Sequence, residues 1–168
     1  MMKFFKHLAV VLAVVFVLPV GAQAQDFRFS FAGTEECLAS EGTVDECVGT
    51  AARDCMTRND GGETTVGMGY CLEQEWMAWD ALLNMHYGEV RAQARAADAE
   101  TAQYNANIPS QADALRDMQR AWIAFRDARC DYERSQWGGG TGGGPATLDC
   151  LMQTTARQAL YLRAQRTD

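Results

Sequence analysis

The sequence predicts an all-α fold, a small disulfide-stapled helical bundle built on a long antiparallel helix hairpin. Apolar residues recur at steps of three and four, and there is no sustained two-residue alternation of the kind that strands show. After the N-terminal leader only Pro109 and Pro145 interrupt the pattern. The six cysteines, an even number in a short chain, predict a disulfide framework.

Residues 1–24 have the composition of a secretory signal peptide. A basic start is followed by an apolar run from Leu8 to Val20, and Ala22-Gln23-Ala24 supplies a small-residue cleavage site. The apolar run is short for a membrane span. No cysteine directly follows the cleavage site to accept a lipid. We therefore expect a periplasmic or secreted protein that begins at Gln25 and has no membrane anchor.

Five helices are predicted after the leader. They cover Thr34–Ala39, Thr43 to about Thr57, Thr64 or Thr65 to about Thr101, a segment capped by Ser110, and a last segment after Pro145. The longest carries an apolar stripe that includes Leu72, Trp76, Trp79, Leu83 and Tyr87. The next is expected to turn Leu115, Met118, Trp122, Phe125 and Tyr132 toward the core.

Polar residues predict the register of the two long helices. Helices joined by a short break pack antiparallel, so the position numbers of facing residues have a constant sum. Three chemically complementary pairs share one sum: Asp80 with Arg126, Asn84 with Trp122, and Tyr87 with Gln119. We expect an ion pair, an amide–indole hydrogen bond and a phenol–amide hydrogen bond at these positions. Asp127 is expected to pair with an arginine as well.

The cysteines are expected to pair with their neighbours along the chain. Cys37 would join Cys47, Cys55 would join Cys71, and Cys130 would join Cys150 across the glycine-rich loop. An alternative brings Cys71 to Cys130 at one end of the hairpin. The spacings contain no CxxC pair, which disfavours a zinc site.

The charge distribution favours a basic partner over a nucleic acid. The chain has 22 acidic and 15 basic residues, and both of its lysines, Lys3 and Lys6, lie in the leader. Between Gln25 and Glu75 there are 11 acidic residues against 3 arginines. Such a surface repels phosphates and attracts cationic proteins by steering, although it is also what an ordinary solubilising surface looks like.

Few residues are available for catalysis, and the sequence predicts no catalytic, cofactor or metal site. His86 is the one histidine after the leader, and it lies inside a predicted helix with no serine nearby in sequence. Mechanisms that use lysine have no residue to use there. His86 with Glu89 would make only a fragment of a metal site, so His86 is interpreted as an ordinary helix-surface residue.

The loop from Gly138 to Gly144 has two interpretations. It lacks the lysine and serine or threonine of a phosphate-binding loop, so it is either a connector that lets Cys150 return to Cys130 or a projection that enters a partner's cleft. Trp137 lies outside the apolar stripes and is the aromatic residue most expected to be exposed. The candidate partner contacts are Trp137, Gly139 and Gly142.

Several of these motifs together resemble one family of bacterial envelope proteins. They are Asp80, Asn84 and Tyr87, the block Gln119-x-x-Trp122-x-x-x-Arg126-Asp127-x-x-Cys130, the glycine loop, and Cys150 followed by Thr154, Thr155 and Arg157. In combination they resemble the LprI-like lysozyme inhibitor N-terminal domain family. The resemblance covers roughly Cys55 to the end, so residues 55–168 are interpreted as the family domain and residues 25–54 as an acidic, cysteine-containing extension.

The resemblance implies a small helical envelope protein that binds and is not an enzyme. For some members it implies inhibition of lysozyme, a basic protein whose carboxylates lie in a long cleft. The function predicted from the sequence is therefore an exported binding protein, specifically a lysozyme inhibitor that acts by occlusion. The alternative is a structural or assembly component of the cell envelope without an enzyme target.

Overall fold

The computed structural model describes residues 26–40, 42–104 and 107–167, and every regular element among them is an α-helix. The helices are α1 (Ala32–Ala39), α2 (Val44–Cys47), α3 (Thr50–Arg58), α4 (Thr65–Thr101), α5 (Gln111–Ser135) and α6 (Gly143–Ala164). The predicted all-α class is confirmed. The predicted leader, residues 1–24, lies outside the described residues.

The prediction of one helix from Thr43 to about Thr57 is wrong, because the helix is interrupted at Val48 and Gly49, between α2 and α3. Thr43 and Glu46 form a reciprocal capping box that begins α2. Val48 is extended, and Gly49 has a φ of +87°, a left-handed conformation that favours glycine. These two residues end α2, and a separate helix, α3, begins at Thr50.

The predicted helix α4 is confirmed, but its most extensive partner is α6 and not α5. Met68 near the start of α4 lines a common groove with Ala146 near the start of α6. Near the other end, Gln93 Nε2 donates a hydrogen bond to the Thr167 carbonyl at 2.9 Å, just beyond α6. The two helices therefore run in the same direction. Helix α5, which lies between α4 and α6 in the sequence, is antiparallel to both helices and completes the bundle.

The core lies along the α4–α6 interface and is closed by α3. Trp79 and Leu83 of α4 are buried against Met152 and Leu162 of α6. Ala156 of α6 is also fully buried, as are neighbouring small residues, so the helix backbones can approach closely.

All three predicted disulfides are confirmed. Cys37 is bonded to Cys47, Cys55 to Cys71, and Cys130 to Cys150, with Cα–Cα separations of 5.3, 5.7 and 5.5 Å. The alternative pairing of Cys71 with Cys130 is thereby excluded. Each bond joins consecutive helices or the segments between them, so the disulfides reinforce local turns of the fold.

The N-terminal arm, which we define as the described residues from 26 to 54, packs against the bundle. Phe31 meets Trp79 edge to face, with ring centroids 5.3 Å apart. Tyr70 donates its hydroxyl hydrogen to the Phe27 carbonyl at 3.1 Å. Arg157 of α6 forms an ion pair with Asp45 at 2.6 Å. The arm therefore contributes to the same core as the later helices.

Helix α5 is rotated from its predicted orientation. Phe125 and Tyr132, predicted to face the core, are 58% and 66% exposed. The face turned inward instead includes Gln119, Trp122, Arg126 and Cys130, which follow one another at steps of three and four. Two constraints fix this rotation, the disulfide at Cys130 and a hydrogen bond of 3.0 Å from Gln158 Nε2 to Gln119 Oε1.

Candidate partner-binding site

The turn between α5 and α6 holds Trp137 in an exposed position. After α5 ends, the Trp137 amide donates to the Arg134 carbonyl at 3.1 Å, and the Gly140 amide donates to the Trp137 carbonyl at 2.8 Å. Trp137 is 52% exposed, as the sequence predicted for this aromatic residue. The Cys130–Cys150 disulfide ties the two helices close to this turn. The loop is thus anchored on both sides while its aromatic side chain meets solvent.

The two candidate glycines occupy different environments. Gly139 has a φ of +87°, and a Cβ there would meet no atom within 4 Å, so this part of the loop faces open space. Gly142 lies beneath the Trp137 ring, and a Cβ on it would overlap the ring atoms. Gly142 therefore supports the orientation of Trp137, while Gly139 allows the left-handed turn that carries the chain around the tip.

An apolar groove of about 400 Å³ begins beside Trp137. Its walls come from α3, α4 and the start of α6. The apolar lining residues are Ala52, Met56, Met68, Leu72, Trp137, Pro145, Ala146 and Met152. Methionine side chains are flexible and polarisable, so a groove that contains three of them can adapt to differently shaped apolar groups. A groove of this kind beside a half-exposed tryptophan is suited to receive a side chain from another protein.

Two charged residues, Arg53 and Asp149, border the groove. Asp149 is exposed at its edge, yet the adjoining wall removes part of the water around the carboxyl, and this burial raises the pKa of Asp149. A hydrogen bond from Gln153 and the charges of Arg157 and Arg53 oppose that shift, and the charge of Glu133 adds to it. A cationic group bound in the groove would therefore stabilise the charged form of the Asp149 carboxylate.

The polar residues of the predicted ladder have other partners, and the predicted pairs are wrong. Asn84 donates to Asp80 of its own helix at 2.9 Å. Arg126 pairs with Asp127 at 2.8 Å, and its guanidinium carbon lies 5.1 Å from the centroid of Trp122. An arginine pairing for Asp127 is thus present, within α5. For Asn84 the physical reason is proximity, since a residue four positions away lies on the same face of the helix.

Gln119 and Tyr87 complete the predicted set. Gln119 is buried and accepts its hydrogen bond from Gln158 of α6, as described above. Tyr87 is partly buried and packs against the hydrophobic core. The seven motif residues thus lie on α4 and α5, and none of them borders the Trp137 groove.

Glu75 was not singled out by the sequence, yet it is a fully buried carboxylate at the centre of a hydrogen-bond network. The backbone amides of Gly49 and Ala52 donate to its two oxygens, each at 2.7 Å. Thr34 Oγ1 and Trp79 Nε1 donate to Oε1, each at 3.1 Å. Burying a carboxylate is costly unless donors surround it, and four donors do so here.

The Glu75 carboxylate serves as the missing N-cap of α3. Gly49, the residue in the N-cap position, has no side chain to accept from the first turn. Glu75 accepts two of the free amides, and Thr34 Oγ1 accepts a third, from Ala51 at 3.1 Å. A sequence signal existed, because Glu75 stands between Leu72 and Trp79 on the core-facing stripe of α4, where a charge requires partners.

His86 is buried, so its interpretation as an ordinary helix-surface residue is wrong. Its Nδ1 lies 3.3 Å from Glu89 Oε2 and 3.3 Å from Arg166 Nη1. Arg166 also pairs with Glu89 at 3.1 Å. These three side chains join the second half of α4 to the end of α6. Within the described ranges, no three His, Cys, Asp or Glu side chains are grouped in a way that could hold a metal ion.

None of the helices in the described part of the chain combines the length and apolar character needed to cross a bilayer.

Comparison with known proteins identifies the family. Residues 55–162 match the family described as lysozyme inhibitor LprI. The chain is 33% identical over 140 residues to the uncharacterized protein YecT of Escherichia coli, which covers 70% of this chain and 74% of YecT. It is 32% identical over 93 residues to an uncharacterized protein of Rhizobium meliloti, covering 55% of this chain and 67% of the relative.

A third relative matches a longer share of the chain. It is an uncharacterized 17.7 kDa protein from the puhA 5' region of Rhodobacter capsulatus, 27% identical over 135 residues, covering 78% of this chain and 83% of the relative. No solved structure matches the chain. The family match covers well over half of the chain and includes the Trp137 turn, two of the three disulfides and all of α4 and α5. The chain therefore belongs to the lysozyme inhibitor LprI family.

Proposed function

We propose that this protein is a non-enzymatic binding protein that inhibits lysozyme by occluding it. The observation that carries the proposal is membership of the lysozyme inhibitor LprI family across residues 55–162. Within that range, Trp137 and the adjoining apolar groove offer a contact site that is anchored by a disulfide. Binding energy at protein interfaces concentrates in such aromatic anchors.

Charge supports a basic partner for this site. The chain has a formal net charge of −7, and the groove carries Asp149 at its edge. Long-range attraction would speed the encounter with a basic protein, while Trp137 and the methionines of the groove would supply the short-range contacts. In this arrangement Gly139 forms the tip of the loop, and Gly142 holds the Trp137 ring in place.

We also propose that the protein works outside the cytoplasm, in the periplasm or as a secreted protein. The three disulfides support this location, since such bonds form and persist in oxidising compartments. A cleaved leader at residues 1–24 would deliver the protein there.

A lysozyme assay tests the proposal directly. The oxidised protein is titrated into an animal-type lysozyme that is clearing a cell-wall suspension, at low and at moderate salt. We expect inhibition at micromolar protein, and at least tenfold weaker inhibition for Trp137→Ala, because the aromatic anchor is lost. Tyr104→Ala is the matched control, since Tyr104 is 84% exposed and far from the groove in sequence.

The outcomes separate three situations. Absence of inhibition in either buffer would overturn the proposal. Inhibition that disappears at moderate salt would indicate charge attraction without docking at Trp137. Clearing of the suspension by the protein alone would show that it is an enzyme.

One observation favours the alternative, a structural or assembly component of the envelope. Phe125 and Tyr132 lie one above the other on α5 and are mostly exposed, which is typical of a surface that contacts another protein. Under this alternative Phe125→Ser would reduce co-purification with an envelope protein and leave any lysozyme inhibition intact. The lysozyme proposal predicts the reverse pattern, with Trp137→Ala as the damaging change.

A further inference from the structure

We propose that the cleft between α1, α4 and α6 binds a small zwitterion with an apolar side chain, the chemistry of a free apolar amino acid or a dipeptide. The cleft has a volume of about 370 Å³, within the range of small-molecule sites. It is lined by different residues from the Trp137 groove, so this inference does not depend on the proposed function.

The floor of the cleft is apolar and held rigidly. Trp79 forms part of it and is itself almost completely buried. Phe31 packs edge to face against Trp79, and the other apolar lining residues are Leu38, Ala39, Leu82, Ala159 and Leu160. An apolar side chain that binds here would be transferred from water to a preformed apolar surface, and the protein would lose little conformational entropy.

The mouth of the cleft carries one unpaired cation and one unpaired anion. The Arg163 guanidinium and the Glu35 carboxylate both line the mouth. In the described part of the chain, neither side chain has a hydrogen-bond or ion-pair partner. The other charged residues of this region, Arg166 and Glu89, satisfy each other and His86.

This combination points to a zwitterion. A ligand with only a carboxylate would be attracted by Arg163 and repelled by Glu35, and a ligand with only an ammonium group would meet the reverse situation. An amino acid or dipeptide presents a carboxylate and an ammonium group together, so it satisfies both residues while its side chain enters the floor. A large apolar residue such as phenylalanine matches the volume of the cleft better than a small one does.

Calorimetric titration of the oxidised protein tests the inference with four probes. They are phenylalanine, phenylalanine amide, N-acetylphenylalanine and the dipeptide of two phenylalanines. We expect the two zwitterions to bind, and each single-charge analogue to bind about three- to fivefold more weakly, the effect of one exposed charge contact. The stronger of the two zwitterions identifies whether the cleft takes the free amino acid or the dipeptide.

Matched variants assign each charge to its group. Arg163→Gln is expected to abolish the preference for phenylalanine over its amide, and Glu35→Gln the preference over the N-acetyl form. Arg129→Gln and Glu73→Gln, exposed changes outside the cleft, are the controls and should preserve both preferences. Ala39→Trp, at an exposed position on the cleft wall, should fill the cleft and abolish binding.

Several results would overturn the inference. They are no binding of either zwitterion, equal binding of phenylalanine and its two blocked analogues, or binding that Ala39→Trp leaves unchanged.

Discussion

Glu75 and Asp98 are two carboxylates on the same helix, α4, and each accepts the free backbone amides at the start of another helix. Glu75 takes the amides of Gly49 and Ala52 at α3, and it is fully buried. Asp98 takes the amides of Gln111 and Ala112 at α5, at 2.7 and 3.0 Å, and it is only partly buried, so water reaches it. The two carboxylates therefore make the same kind of hydrogen bond, but they differ in how deeply they are buried.

The difference shows how burial decides the weight of a hydrogen bond. If Asp98 is lost, water can reach the amides of α5, and the Ser110 hydroxyl still accepts from Asp113 at 3.1 Å. If Glu75 is lost, the buried amides of Gly49 and Ala52 have no acceptor, and only the Ala51 amide keeps one, Thr34 Oγ1. An unsatisfied buried donor costs far more than an exposed one. We therefore expect substitution of Glu75 to destabilise the fold more than substitution of Asp98.

The largest expected effect is that of Glu75→Gln. The glutamine carbonyl can accept at one site, but its amide group would face the Ala52 amide, so two donors would meet in a buried space. We expect a loss of about 2–4 kcal/mol in the free energy of unfolding, measured by urea denaturation. Glu73→Gln, an exposed change two residues away, is the control. If Glu75→Gln were as stable as Glu73→Gln, burial would not give the Glu75 cap the extra weight that distinguishes it from the partly exposed Asp98 cap.

Removing the Cys37–Cys47 disulfide tests the comparison of the two caps further, because it should destabilise the arm around the Glu75 cap and leave the Asp98 cap unchanged. The double change of Cys37 and Cys47 to serine releases a loop of 10 residues in the arm and is expected to cost about 2–3 kcal/mol. Hydrogen exchange should then accelerate at the Gly49 and Ala52 amides and remain unchanged at Gln111 and Ala112. Uniform acceleration at both sets would show that the two ends open as one unit.

Asp98→Asn should lower the melting temperature by less than Glu75→Gln, and in a pH-dependent manner. Hydrogen bonds from Ser110, Ala112 and Gln111 lower the pKa of Asp98. The stabilisation that it provides is therefore fully present above the ordinary aspartate pKa, about 3.8, and is lost as the pH falls through the lower folded-state value. Calorimetry should show a gap between wild type and variant at pH 7 that closes in acid. A gap that stays constant with pH would contradict this account.

Asp149→Asn should change the melting temperature least, and it should raise the melting temperature where the other changes lower it. Asp149 has no backbone amides as partners, and partial burial raises its pKa. The fold therefore favours the protonated form, and this contribution is lost as the pH rises above the ordinary value, about 3.8, and through the raised one. The variant should match wild type in acid and melt slightly higher at pH 7. A lower melting temperature at pH 7 would mean that the arginine contacts outweigh the burial.

The helix pattern and the disulfides could be predicted from the sequence because both depend on short-range information. The steps of three and four define α4, and its boundaries were within one residue at each end. Each disulfide closes a separation of at most 20 residues, between neighbouring helices. The exposure of Trp137 was predicted for a similar reason, since this residue stands outside every apolar stripe.

The rotation of α5 and the cap formed by Glu75 could not be read in the same way. Phe125 and Trp122 are both aromatic and three residues apart, so the pattern alone does not say which one faces inward. The answer depends on Cys150 and Gln158 of α6, which fix Cys130 and Gln119. Similarly, Glu75 acquires its donors from Gly49 and Ala52, whose amides become free only because the predicted helix breaks at Val48.

The Glu75 cap also makes the folding of α3 depend on α4. The start of α3 and Glu75 are separated by 26 residues along the chain, so α3 cannot obtain this acceptor from its own segment. Until α4 has formed and Glu75 is in place, the amides of Gly49 and Ala52 have no acceptor other than water. We therefore expect that in a chain truncated before residue 75 the N-terminal arm would not form a stable α3.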